Sequence, residues 1–276
     1  MEKLVTACLA FIFSINLCYG QGQISRPSQT TVNKNQTPKK TEPILPNSTE
    51  TINGITVNWD GVNQSQKNAI TELLNNMVFV EGGTFMKGKG NPSYNKQYIA
   101  GFKTTVPSFY MSKFETDQKL WKCIMGKNPS YFKGDNLPVE QVTWKSLHDF
   151  IKKLNNLTGL NFKLPSEEEW EYASRGGKLS KDYIYSGSNN LEDIAWIDKN
   201  SKHRTHPIGS KKPNELGIYD MTGNVWEWTS TSYTDDKNRL TCIGKGGSFD
   251  SVDCHHYEYF NWDPDPNKTI GFRLIL

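Results

Sequence analysis

The sequence predicts an α+β domain with short strands and a large share of irregular structure. Three observations carry that reading. Short apolar runs are bounded by glycines, as in Met77-Val78-Phe79-Val80 before Gly82-Gly83. Amphipathic segments with good caps lie between them. From Gly176 to Thr222, roughly fifty residues, no hydrophobic period survives, and loops of that length inside a compact domain are commonly functional or held by something else.

The chain has 276 residues, 36% apolar, 22% charged and 12% aromatic. The low apolar share excludes a membrane transporter, and 8 Trp, 12 Tyr and 13 Phe exclude wholesale disorder. Lys and Arg number 32 against 29 Asp and Glu, a net charge of +3 with no basic stripe. Nucleic-acid binding by phosphate neutralisation is therefore not expected.

Lys3, the apolar run Leu4 to Leu17 and Cys18-Tyr19-Gly20 have the layout of a secretory signal peptide, residues 1–20, cut before Gln21. The apolar run is too short to span a bilayer, and no later segment is long enough to cross one. The expected localisation is therefore export to the periplasm, cell surface or medium. Lipoprotein anchoring at Cys18 is the alternative, disfavoured because Leu17 is not the small residue a lipobox wants. Of five cysteines, Cys123, Cys242 and Cys254 remain after the cut. Cys242 and Cys254 forming a disulfide and all three staying free thiols are equally compatible with the spacing.

Residues 21–54, rich in Gln, Thr, Asn, Ser, Pro and Lys, read as a disordered linker. Residues 55–76 continue it with a short helix, in which Ile70, Leu73, Leu74 and Met77 recur behind Asn63 or Ser65. The compact domain is expected at 77–276. Met77–Val80 and Gly82–Met86 read as strands around a glycine turn, and Val106–Phe114 as another. One helix carries Leu120, Trp121, Ile124 and Met125 after Thr116. A second carries Leu147, Phe150, Ile151 and Leu154 between Thr143 and Gly159. A third opens at Ser166-Glu167-Glu168-Glu169, where capping-box spacing outweighs a metal or substrate site as the reason for the acidic run. Gly176-Gly177 ends it. Asn224–Thr229 alternates as a strand, Gly246–Phe249 follows, and Gly271–Leu276 reads as a closing strand.

Five blocks in order resemble the formylglycine-generating enzyme family, the sulfatase-modifying factor domains. They are Val80-Glu81-Gly82-Gly83-Thr84-Phe85, Leu164-Pro165-Ser166-Glu167-Glu168-Glu169-Trp170-Glu171-Tyr172-Ala173, Gly223-Asn224-Val225-Trp226-Glu227-Trp228, Gly246-Gly247-Ser248-Phe249 and Gly271-Phe272-Arg273. Asn128-Pro129-Ser130-Tyr131-Phe132 and Lys212-Pro213-Asn214-Glu215-Leu216-Gly217 look like secreted Bacteroidota members of that family. The resemblance covers Met77 to Leu276 and implies a loop-rich variant of the C-type lectin fold.

It also implies an activity: oxidation of a sulfatase cysteine to formylglycine with oxygen and copper held by two cysteines. Here those two columns hold Ser251 and His256. Soft thiolates select Cu(I) and a hydroxyl is a poor substitute, so copper binding is not expected. Cys254, between the columns beside His255 and His256, is a possible substitute ligand. Trp226 and Ser248 match columns next to the family's catalytic site. The resemblance further implies one structural calcium, with side-chain ligands Asp220 and Glu227 and carbonyls from Gly223 and Val225, a set of hard oxygens suited to that ion. The family's second calcium site does not map onto Ile194-Ala195-Trp196.

The five histidines, His148, His203, His206, His255 and His256, show no facial-triad spacing for an iron enzyme. The expected function is therefore a noncatalytic exported domain that binds a protein or glycan at the cell envelope, with Tyr257, Tyr259, Phe260, Trp262 and Asp263 as the candidate contact surface. The formylglycine-generating oxidase is the alternative.

Overall fold

The computed structural model describes residues 41–90, 101–234, 237–262 and 265–276. The expected signal peptide and the first part of the linker lie outside them.

The described chain opens with a hairpin, β1 (Ser48–Ile52) paired antiparallel with β2 (Ile55–Trp59). The expectation of a linker as far as Gly54 fails here. Asn53 and Gly54, at φ 50° and 76°, make the tight turn that Asn-Gly favours between strands. Ile52, Val57 and Trp59 then bury their side chains in the main core. The polar composition of β1 hid a strand with one buried residue.

Helix α1 (Gln64–Asn75) starts at Asn63, whose side chain and that of Gln66 form a reciprocal capping box. Strand β3 (Met77–Val80) follows, then β4 (Gly83–Lys87), β5 (Phe102–Val106) and β6 (Phe109–Ser112). The single strand expected over Val106–Phe114 is two. Pro107 offers no amide to a ladder, so the chain changes partner there: β5 pairs with β4, and β6 pairs with β3.

Helix α2 (Gln118–Met125) is capped by Asp117, not Thr116, because the Asp117 carboxylate accepts from the Leu120 amide. Helix α3 (Trp144–Thr158) runs from Thr143 to a left-handed Gly159, as the spacing predicts. Helix α4 (Glu167–Ser174) has the Ser166–Glu169 capping box. Short helices α5 (Leu191–Ile194) and α6 (Asp198–Ser201) punctuate the long irregular segment. That segment is held partly by Asn214, whose amide donates to Ala173 O and Ser186 Oγ while its carbonyl oxygen accepts from Leu216 and Ile218 amides.

The largest sheet has the order β10-β7-β8-β9, built from β7 (Trp226–Thr234), β8 (Leu240–Lys245), β9 (Tyr259–Trp262) and β10 (Ile270–Gly271). The pairings of β7 with β8 and β8 with β9 are antiparallel, and β10 lies parallel to β7. Gly246–Phe249 is not a strand: Gly246 and Gly247 have φ 97° and 76° and turn the chain out of the sheet. The C-terminal residues then pair with β6 through Ser112 N to Leu274 O and Tyr110 N to Leu276 O.

Trp121 stacks on Phe150 at 5.0 Å and meets Phe272 edge-on at 6.1 Å, joining α2, α3 and the C-terminal segment in the main core. A second cluster gathers Trp170, Tyr172, Met111 and Ile275. A third, under the irregular segment, contains Tyr185, Ile194, Ile197 and Cys254.

Candidate functional site

The two columns that hold copper ligands in the resembled enzymes are occupied by structural groups. The Ser248 amide donates to Ser251 Oγ at 2.9 Å and the Ser251 amide to Ser248 O at 2.9 Å, closing a reciprocal turn. Ser251 O in turn accepts from the Asp198 amide at the start of α6. His256 is buried, with Ser174 Oγ 3.0 Å from Nδ1 and Tyr183 O 3.2 Å from Nε2. A carbonyl only accepts, so Nε2 carries the proton. Burial pushes this imidazole down to about 3, so it is neutral at physiological pH.

Cys254, the possible substitute ligand, is a buried thiol. It packs among Tyr185, Ile194, Ala195 and Ile197, and burial pushes its thiol up to about 12. A Cβ on Gly247 would stand 1.9 Å from its sulfur, so the turn and the thiol are packed against each other. The neighbouring His255 faces Glu258 Oε1 at 3.2 Å and stacks on Tyr257. Cys254, His255 and His256 therefore diverge to separate partners. Cys242 lies in the main core and Cys254 in another cluster; both, with Cys123, are free thiols.

Trp226 packs on the main core and toward Phe260 at 6.1 Å, while Ser248 is buried and its hydroxyl accepts from the Asp250 amide.

Of the four residues expected to hold calcium, the side chains of Asp220 and Glu227 come together. Asp220, Glu227 and also Glu115 are buried around one cation, Arg273. Glu227 is gripped by Arg273, Nε to Oε2 at 2.7 Å and Nη2 to Oε1 at 2.6 Å, and Oε2 also accepts from Trp170 Nε1 at 2.7 Å. Oε2 is thereby saturated, and Oε1 keeps one lone pair. Asp220 Oδ2 accepts from the Gly209 amide, but buried Oδ1 has no partner. Glu115 accepts from the Val225 amide at 3.1 Å and Asn224 Nδ2 at 2.6 Å. Burial raises the Glu115 carboxyl well above its ordinary range, with the charges of Asp220 and Glu227 adding to it, and burial raises Asp220 to about 6. Glu115, Asp220 and Glu227 gather around the Arg273 guanidinium, and Asp220 Oδ1 is a buried acceptor without a partner among the described residues. Sequence reasoning missed Glu115, which follows β6 and carries no motif in the blocks above.

The C-terminal aromatics lead to a second feature. Tyr257 and Tyr259, with Phe102 and Tyr233, line a cleft of about 420 Å³ over Lys87, Glu167 and Glu171. Lys87 Nζ bonds Glu167 at 2.9 Å and Glu168 at 2.5 Å, which is how the acidic first turn of α4 is used besides capping. Fully buried Lys245 lies 3.4 Å from Glu171. Tyr259 and Phe260 are 56% and 53% exposed. Asp263 lies outside the described residues, as does the side chain of Trp262. Elsewhere, exposed His203 approaches Asp198 at 3.1 Å and Asp250 at 3.5 Å, a grouping that linear spacing did not reveal.

The fold and these sites define a loop-rich, C-type-lectin-like α+β domain of the kind that carries formylglycine-generating enzymes. The sulfatase-modifying factor enzyme 1-like domain matches residues 62–276, and the chain belongs to that family. It is 33% identical over 241 residues to Chaperone protein LppX of Paenibacillus barcinonensis, covering 68% of this chain and 84% of that protein. It is 30% identical over 129 residues to the inactive C-alpha-formylglycine-generating enzyme 2 of Bos taurus, 42% of this chain and 40% of that one. Among solved structures, Treponema denticola variable protein 1 superposes with a TM-score of 0.61 at 24% identity, covering 83% of this chain and 98% of that chain, a likeness of fold. Among the described residues no helix is long and apolar enough to cross a membrane.

Proposed function

We propose that this chain is an exported, noncatalytic member of the family that binds a protein or glycan at the cell envelope, and that a calcium ion braces its fold. The observation that carries this reading is the occupation of both copper-ligand columns by Ser251 and His256, each committed to internal hydrogen bonds. The only thiol between them is buried and held protonated. Similarity to a protein named a chaperone and to one named inactive supports a binding role. The exposed rings of Tyr259 and Phe260 supply surface for contact. Export rests on the apolar run before Gln21; intact mass of the secreted protein should place Gln21 first, and a diacylglyceryl mass on Cys18 would replace that reading with a lipoprotein.

The test of the noncatalytic reading is direct. The purified domain, loaded with Cu(I) under oxygen, is expected to leave the cysteine of a sulfatase-motif peptide unchanged by mass spectrometry. One imidazole and a hydroxyl offer neither the charge nor the softness of paired thiolates. Conversion to the aldehyde, abolished by Cys254→Ser, would establish the oxidase instead.

Asp220 Oδ1, Glu227 Oε1 and the carbonyls of Gly223 and Val225 would hold calcium, with Glu115 beside them. The ion would supply the positive charge that Arg273 alone does not. Calcium at a hundredfold its dissociation constant should stabilise the fold by about 2.7 kcal/mol. The melting temperature is expected to rise with calcium and fall with chelator, and an Asp220→Ala variant to respond to neither. A wild-type melting curve indifferent to both reagents would remove calcium from the account.

A further inference from the structure

We propose that a cleft between residues 133–137 and 202–207 binds an oxyanion, the sulfate, phosphate or carboxylate group of a ligand. The cleft measures about 590 Å³ and shares no residue with the aromatic cleft above. Its walls are tied at one end by the Ile208 amide donating to Asn136 O at 3.0 Å. Three cations line it: Lys133, Lys202 and Arg204, all exposed. Among the described residues none of the three takes part in an ion pair, whereas Lys87, Lys119, Lys122 and Lys178 each face a carboxylate.

The acidic groups nearby are engaged: Glu140, on which Lys133 acts electrostatically, accepts from the Tyr131 and Phe132 amides. Asp135, which also lines the cleft, is taken by Lys122 Nζ at 2.5 Å. Asp198 and Asp250 face His203, and Asp250 also lies 3.8 Å from Lys268. Arg204 lies over the Phe132 ring, 5.9 Å from the centroid, within cation–π reach. Among the described residues Lys133 Nζ donates to Asn128 O alone, which leaves two of its protons uncommitted there. Thr205, also part of the lining, is buried and its hydroxyl has no partner among the described residues. Two ammonium groups and one guanidinium lining one concavity match a multiply charged oxygen anion, through the charge-assisted hydrogen bonds such groups form.

Trp196 offers an optical reporter, since its ring stacks at 3.8 Å on His206, a residue of the cleft wall. The full domain is titrated with inorganic sulfate, inorganic phosphate and a heparin tetrasaccharide at constant ionic strength, by calorimetry and tryptophan fluorescence. Saturable one-to-one binding is expected, weakened at least tenfold in Lys202→Ala, Arg204→Ala and lost in Arg204→Glu. A Lys103→Glu variant on exposed β5 should bind as wild type, and melting curves of all variants should coincide, since the altered side chains are exposed. Binding of the tetrasaccharide alone identifies an oxyanion carried on an extended ligand; binding of the inorganic ions as well identifies a free small oxyanion. Saturation by none of the three probes, or equal affinity in wild type and Arg204→Glu, overturns the proposal.

Discussion

Arg273→Met is expected to destabilise the calcium-free domain by about 3–5 kcal/mol, a large part of the stability a domain of this size commands. Arg273 is fully buried and makes five contacts at once: two with Glu227, and one each with the carbonyls of Ser112, Lys113 and Tyr219. Removing it leaves Glu227 charged in a site that already holds Glu115 and Asp220. The penalty is that of an uncompensated buried charge and not of a lost contact. Glu227→Gln in the same chain should therefore restore part of the loss, because the neutral amide oxygen still accepts from Trp170 Nε1. Urea denaturation in chelator, with wild type, the single and the double variant side by side, measures both effects. A single variant within 1 kcal/mol of wild type, or a double variant no more stable than the single, would show that the ion pair does not hold this site together.

The second large effect is acid sensitivity from His256. Its folded value of about 3 lies below the ordinary 6.5 because burial penalises the imidazolium, with Arg175 adding to the effect. As the pH falls from about 6.5, the unfolded chain takes up a proton that the folded chain refuses. Stability from this group is thus fully present above about pH 6.5 and is lost progressively down to about pH 3. At about 1.4 kcal/mol per pH unit the contribution amounts to about 5 kcal/mol. The carboxyls of Asp117 and Asp220, raised to about 6 by burial, act with the opposite sign, losing stability as the pH rises from about 4 to about 6. The difference between wild type and His256→Gln isolates the histidine: the Gln amide occupies the place of Nε2, donates toward Tyr183 O and does not titrate. The two stability profiles should converge between pH 7 and pH 4, wild type losing several kcal/mol more. Parallel profiles would mean that His256 is not held neutral in the fold.

What could be read from the residues alone was whatever short-range hydrogen bonding and covalent spacing decide. Thr143 and Gly159 bound α3, and Ser166 with Glu169 opens α4, because caps are satisfied within three or four residues of the chain. The substitution of Ser251 and His256 for a thiolate pair is equally a matter of spacing, as is the family assignment through its ordered blocks. Where the reading failed, distant partners had chosen the outcome. Ser48–Ile52 became a strand because Ile52, Val57 and Trp59 reach the main core, and the expected long strand broke at Pro107 because its halves belong to β4 and β3.

Function-bearing groupings depended on tertiary structure for the same reason. Glu115 joins Asn224 and Val225 across 109 and 110 residues, which no local period encodes. Linear spacing likewise kept Lys133 apart from Lys202 and Arg204, and His203 from Asp250. Burial then set the chemistry. Closed over by packing, the His256 imidazole is neutral with both ring nitrogens hydrogen-bonded, and the Cys254 thiol stays protonated. A sequence names the side chains available to a site; the closure of long loops and the exclusion of water decide which of them meet, and in what protonation state.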